Sequence, residues 1–355
     1  MKKSIDRIRM LKKLASIAPW GFLVLGSLLV ACAKQTENDN VVNVYTHRHY
    51  EIDKQLFEKF TEETGIDVNV ISASADQLIE RLQIEVKNSP ADLLITVDAG
   101  RLHRAKEKGL LQAIDAEKLK SNIPGQLRDP EGFWFGLTKR ARIIVYSRER
   151  VNPEQLSTYE ALADERWKGK ILVRSSGNIY NQSLLASIIV ANGKVASREW
   201  AKGLVANLAR NPKGNDRDQV KAIAAGIGDA ALVNSYYVGR MMNSGDAAEK
   251  TAAEKVGVFF PNQEGRGTHI NVSGAGVTAN AKHKENAIKL LEFLSSVEVQ
   301  EQFASANYEY PVNPKAKNSA LLDSWGAFKA DNVNLTSLGV NNSDAVKIFD
   351  EVGWK

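Results

Sequence analysis

Cysteine is almost absent: Cys32 is the only one in 355 residues. No intramolecular disulfide can form, so packing alone has to hold the chain in an oxidising compartment. An excess of charge is also missing once the first segment is set aside. Residues 1–32 carry six of the 47 Lys/Arg and one of the 42 acids, which leaves 41 of each beyond them. That balance excludes a basic nucleic-acid footprint at the level of net charge. Catalytic signatures are lacking as well. There is no G-x-S-x-G elbow, no H-E-x-x-H helix and no G-x-x-x-x-G-K-[ST] loop, so a secreted hydrolase on an α/β scaffold finds no support and the chain is read as a non-enzyme. No internal repeat or low-complexity tract is present. At 43% hydrophobic and 25% charged residues the composition excludes disorder as the main state.

The first segment has a basic start (Lys2, Lys3, Arg7, Arg9, Lys12, Lys13), an apolar run from Leu14 to Val30 and small residues at its end. That order is the order of a secretory signal. Leu29-Val30-Ala31-Cys32 resembles the bacterial lipobox, whose thiol is acylated; a buried structural thiol is the alternative. Arg7 and Arg9 are split by Ile8, so there is no twin-arginine pair and the Sec route is expected. Ala33 to Asn40 is short, polar and aperiodic, a tether between anchor and domain.

From Val41 the pattern becomes regular. Val41, Val42, Val44 and Tyr45 form a β-rich run; Ile52, Leu56, Phe57 and Phe60 follow at helical spacing, with Gly65 placed to stop that helix. A strand at Asp67 to Ile71, a helical stripe at Leu78, Leu82 and Val86, and a buried strand at Leu93 to Ile95 complete β-α-β-α-β, which predicts a parallel, doubly wound sheet. Phe133 to Val145 reads as a long strand. A fresh α/β set follows, with strands at Ile171 to Val173 and Ala230 to Val233 and a helix over Leu184 to Val190. Gly274 opens a returning strand, and Ala287, Leu290, Leu291, Leu294 and Val297 predict one long amphipathic helix. The tail after Lys315 reads as mixed helix and loop.

These residues carry a resemblance. Ala275-Gly276-Val277, Lys284 to Leu294 (KENAIKLLEFL) and Tyr308-Glu309-Tyr310-Pro311-Val312 resemble the C-terminal part of periplasmic ferric-ion-binding proteins. Tyr159 to Ala163 before Trp167-Lys168-Gly169-Lys170 is similar to the same family, in detail to its cyanobacterial type, which uses tyrosines plus one histidine. The resemblance covers nearly all the chain beyond the signal. It implies a two-lobed α/β periplasmic binding protein of class II, each lobe a doubly wound mixed sheet, with the ligand cleft at the hinge. The expected organisation is 1–32 signal with lipobox, 33–40 tether, 41–139 plus about 265–315 as first lobe, 140–264 as second lobe, and 316–355 as C-terminal helices packing on both. The implied function is capture of one Fe(III) in the periplasm and delivery to an ABC-transporter permease, by a monomer that meets the membrane only through a lipid anchor at Cys32.

Four tyrosines stand where such a cleft needs them. Tyr50 follows the first strand in His47-Arg48-His49-Tyr50, Tyr180 opens a helix after Ser175-Ser176-Gly177-Asn178, and Tyr236 and Tyr237 follow Asn234-Ser235 at a strand end with a capping residue. A helix start favours phenolate and is expected to lower the phenol pKa from about 10. Hard Fe(III) prefers oxygen anions, so binding releases protons and weakens in acid. Four phenolates leave a net charge of −1, which Arg240, Arg140 or Arg142 is placed to offset. The other reading of each tyrosine is half-buried packing, and of the pair an aromatic wall for a sugar or amine. Tyr45, Tyr146, Tyr159, Tyr308 and Tyr310 are assigned to core or surface. His47 and His49 point to the same side of an extended segment; the family pattern His-Tyr favours His49 as the ligand. His103, His269 and His283 are taken as surface residues. Fe(II) remains open if one tyrosine stays protonated and Arg240 rotates in, and so does a coligand anion such as carbonate. The rival solutes on the same fold are a polyamine, thiamine or an oxyanion. A protective iron store inside the cell is a further alternative, against which the signal weighs.

Overall fold

The computed structural model describes residues 39–355. The signal segment, the lipobox at Cys32 and residues 33–38 of the tether lie outside the described residues. Eight strands form the sheet: β1 (Val41–Thr46), β2 (Asp67–Ser72), β3 (Leu93–Val97), β4 (Phe135–Ser147), β5 (Ile171–Leu172), β6 (Ala230–Asn234), β7 (Val256–Phe259) and β8 (Ile270–Val277). Their spatial order is β2-β1-β3-β8-β4-β6-β5, with β7 paired to β4. β1 runs parallel to β2 and β3, as the opening β-α-β-α-β pattern predicts, whereas β8 returns antiparallel to β3 and makes the sheet mixed.

β4 is shared. Residues Phe135 to Ala141 pair with β8, and Arg142 to Tyr146 pair with β6. The hydrogen-bonding partner therefore changes between Ala141 and Arg142, dividing the sheet into a β2-β1-β3-β8 half and a β6-β5-β7 half. Strands β3, β6 and β8 are buried along their whole length, which explains why β3 and β6 read as apolar runs rather than alternations. The edge strand β2 is largely exposed.

Each half takes helices from the segments between its strands. Helix Glu51–Thr64 buries Ile52, Leu56, Phe57 and Phe60 and ends at Gly65, as expected. The single long helix predicted through Val297 is instead two, Lys284–Leu294 and Val297–Ala306. Ser296 takes extended backbone and its side chain accepts from the Val299 N–H at 3.4 Å, starting a new helix where the stripe appeared to continue. Helix Ile179–Ala206 is broken at Gly193, whose φ is 76°. In the tail, helix Thr336–Val340 packs against helices Ala99–Glu107 and Ile179–Ala206, and helix Asn342–Val352 lies along the latter. Trp354 closes that contact against Trp200, with ring centroids 6.2 Å apart. Among the described residues no helix is long and apolar enough to cross a membrane.

Candidate metal centre

The segment after β1 is anchored by Arg48, which is buried. Its Nε donates to Asp53 Oδ1 at 2.9 Å, and its terminal nitrogens donate to both Glu309 oxygens at 3.1 and 3.0 Å and to Ser273 Oγ at 2.9 Å. Asp53 Oδ2 in turn accepts the Tyr50 N–H at 3.2 Å. Tyr50 is the residue before helix Glu51–Thr64, so one aspartate fixes both the helix start and the arginine behind it. Burial pushes the Glu309 carboxyl up, but Arg48 and the hydrogen bonds from Asn307 and Thr138 hold it below the usual range. At Asp53 burial wins over Arg48, and its carboxyl is raised.

Tyr236 and Tyr237 lie in the first turn of helix Ser235–Met242, directly after β6. Their rings stack with centroids 4.2 Å apart, and Tyr236 meets the Tyr50 ring edge-on at 6.4 Å. Asn234 stands at the capping position without capping: its Oδ1 accepts from Arg142 Nη1 at 3.1 Å, and its backbone N–H donates to Asp216 Oδ1 at 2.9 Å. Ser235 Oγ accepts the Ala141 N–H at 3.2 Å, tying this turn to the point where β4 changes partner.

Tyr180 sits in the first turn of helix Ile179–Ala206, where the Asn178 side chain accepts its N–H at 3.2 Å. Three guanidinium groups face its ring, those of Arg140, Arg174 and Arg142, at 5.3, 5.5 and 5.9 Å from the centroid. Arg142 and Arg174 share Asp216, at 2.6 and 2.5 Å, and Arg142 also donates to Asn181 Oδ1 at 2.9 Å. Arg142 is therefore largely spent on Asp216. Arg140 is buried, lies 3.6 Å from Asp98 and has no hydrogen-bond partner on either terminal nitrogen. Arg240 is half-buried, donates to Asn307 Oδ1 at 3.0 Å and holds its guanidinium 4.4 Å from the Tyr50 ring centroid.

The two histidines separate. His47 Nδ1 meets the Ala73 carbonyl at 3.3 Å, and its neighbours are Arg101, His49 and Asp76. His49 is exposed, with its ring 5.1 Å from that of Tyr50 and its Nδ1 3.4 Å from the His47 carbonyl. His269, expected at the surface, is buried instead, because it lies where β4 meets the start of β8 and its backbone N–H donates to the Tyr159 hydroxyl at 3.1 Å. His283 is not free at the surface either: its Nδ1 pairs with buried Asp92 at 2.9 Å.

The structure thus gathers Tyr50, Tyr236, Tyr237 and His49 in ring contact, with Tyr180 close enough for its charge to raise the other three phenols. For Tyr50, Tyr236 and Tyr237 the expected lowering by helix starts is overturned. Burial is the largest influence on Tyr236 and raises it well above its ordinary value, with Tyr180, Tyr237 and Tyr50 adding to it. Tyr237 is raised by burial and then by Tyr180 and Asp216. Tyr50 is raised by burial and Glu309, against the pull of Arg48. A helix end contributes about 0.3–1 kcal/mol, less than full burial of an ionised group costs. The protein's own groups therefore keep these phenols protonated, and a cation has to displace the protons. Among the described residues no trio of His, Cys, Asp or Glu side chains converges on a metal position. Sequence reasoning missed Arg48, Arg174, Asp216 and Glu309; only Arg48 carried a local signal, lying between two candidate histidines.

A family model described as bacterial extracellular solute-binding protein matches residues 88–329. The chain belongs to this family. Iron uptake protein A1 of Synechocystis is a relative of this solute-binding protein, 49% identical over 94% of this chain and 95% of its own. Among solved structures, a Trichodesmium protein (IdiA, FutA) in complex with iron and citrate superposes with a TM-score of 0.87 at 52% identity, covering 89% of this chain and 100% of that one. The ferric binding protein from Campylobacter jejuni gives 0.84 at 42% identity, over 88% and 100%. The fold is accordingly the two-lobed α/β binding-protein fold, and the family and its relatives are solute-binding proteins.

Proposed function

We propose that this protein captures Fe(III) between its two sheet halves through Tyr50, Tyr180, Tyr236, Tyr237 and His49, and hands it to an ABC-transporter permease. The observation that carries the reading is the convergence of four phenols from three separate strand-to-helix junctions, beside buried arginines. Phenolate is a hard oxygen donor suited to a 3+ ion. Four phenolates would exceed that charge by one, and Arg140, with Arg240 over Tyr50, offsets the excess; Arg142 helps less because Asp216 already pairs with it. Relatives named for iron uptake, and a related structure holding iron and citrate, support the choice of ion.

The change of partner within β4, between Ala141 and Arg142, supports a division into lobes near the expected 41–139 with about 265–315 against 140–264, and closure over the ion would bring the Tyr50 side to the Tyr180 and Tyr236 side. The protein works in the periplasm as a monomer, anchored through an acylated Cys32, and neither catalyses a reaction nor binds nucleic acid. The test is the visible spectrum of the iron-loaded protein beside the Tyr236→Phe/Tyr237→Phe variant. Phenolate on Fe(III) gives a charge-transfer colour that imidazole and carboxylate do not. A coloured parent with one iron, and loss of colour in the variant, is expected. A colourless protein without iron overturns the site and returns the choice to polyamine, thiamine or an oxyanion.

A further inference from the structure

Asp98 follows β3 and is fully buried with φ 83° and ψ 125°, a backbone conformation that side-chain-bearing residues rarely adopt. Such strain persists only where the surroundings over-determine it, and here four groups do so. Asp98 Oδ1 accepts from the Gly100 N–H at 3.0 Å and from Ser183 Oγ at 2.6 Å; Oδ2 accepts from Asn271 Nδ2 at 2.9 Å and faces Arg140 Nη2 at 3.6 Å. Gly100 belongs to the helix that follows, Asn271 to β8 and Arg140 to the stretch of β4 that pairs with β8. Of these four partners, Ser183 alone comes from the second half of the sheet. It is fully buried and lies three residues after Tyr180, one turn along the same helix face.

We infer that Asp98 is a positioning residue for ion capture, a latch across the seam that fixes the Tyr180-bearing helix against the first half through Ser183. The hydrogen bond joins two rigid pieces: the start of helix Ala99–Glu107, pinned to β8 by Asn271, and the second turn of helix Ile179–Ala206. When the halves part at this point of the seam, this bond has to break, and Tyr180 leaves with Ser183. Closure and delivery of the Tyr180 oxygen are then a single event, and the bond slows release of the ion without touching it. The inference rests on the reading of the site as an iron centre.

The full chain, its Ser183→Ala variant and its Asp98→Asn variant are loaded from ferric citrate. Release to excess EDTA is followed by the phenolate band, with melting temperature and small-angle scattering measured in parallel. Loss of a hydrogen bond to a carboxylate predicts release about ten- to a hundred-fold faster in Ser183→Ala, with the band position unchanged. Asp98→Asn keeps an acceptor for Ser183 but a neutral one, and gives an intermediate rise. Release as slow as in the parent, with only the melting temperature lowered, overturns the latch and leaves Asp98 a structural residue. If the parent shows no band, the iron reading itself fails. The latch is then judged by scattering alone, where a Ser183→Ala chain no more extended than the parent overturns it.

Discussion

Acid should expel the ion, and the structure gives the steepness. Tyr50, Tyr236 and Tyr237 are all raised above the ordinary phenol value of about 10, chiefly by burial. All three are therefore protonated near neutrality, and an ion that takes them as phenolates releases three protons. The binding form is the deprotonated one, so affinity rises with pH and falls as pH drops. Each proton contributes about tenfold per pH unit, so these three alone predict roughly a thousand-fold loss of apparent affinity for each unit of acidification below neutrality. Competition against citrate at a series of pH values, corrected for citrate protonation, measures the slope. Indicator dye in weakly buffered solution counts the protons directly. Tyr237→Phe removes one proton and lowers the slope by about one decade per unit. Release of fewer than one proton per iron by the parent would refute the reasoning, because buried neutral phenols could not then be the ligands.

Glu309→Gln removes a charge from the buried Arg48, which keeps Asp53 as its other partner. The cost of about 3 kcal/mol corresponds, for a domain of roughly 300 residues, to a melting temperature about 5 °C lower by calorimetry. His269 is buried among Arg266, Arg142 and Arg140, and burial first, then these charges, holds its pKa well below 6.5. The unfolded chain takes up a proton that the folded one refuses, so stability falls as pH drops below about 6.5, by at most about 1.4 kcal/mol per unit. Urea midpoints between pH 5 and 7 should show this slope and its loss in His269→Gln. Gly239→Ala would place a Cβ 2.7 Å from Tyr308 Cβ and 2.8 Å from its Cγ. The displacement, worth about 1–3 kcal/mol in a thermal melt, shifts the helix bearing Tyr236 and Tyr237 and should also speed iron release.

The strands and the strand-to-helix junctions were legible because each is local: alternating or continuous apolar runs, then Asn, Ser or Gly at the ends. Those junctions carry the four tyrosines, so the aromatic cluster could be read as well. What stayed hidden depends on partners far apart in the chain. Nothing near Asp216 announces that it joins Arg142, 74 residues away, or that Glu309 closes on Arg48 at a separation of 261. The direction of the phenol shifts failed for a related reason: a helix start is visible in sequence, while the burial that outweighs it is not. The break at Ser295-Ser296 was a local signal overridden by the regular stripe around it. His269 looked like a surface residue because nothing near it in sequence shows that β4 covers it.

The sharing of β4 bears on how the chain assembles. The half containing β5, β6 and β7 is built from one uninterrupted stretch, whereas the other half lacks its β8 neighbour until residues 270–277 have emerged. During synthesis the first three strands wait with one side of β3 unpaired while some 170 residues follow. Long-range pairing of this kind slows folding and exposes strand edges to aggregation. A chain that finishes folding only when a late strand arrives stays open to chaperones and to unfolded-chain handling for longer than one whose sheet closes in sequence order.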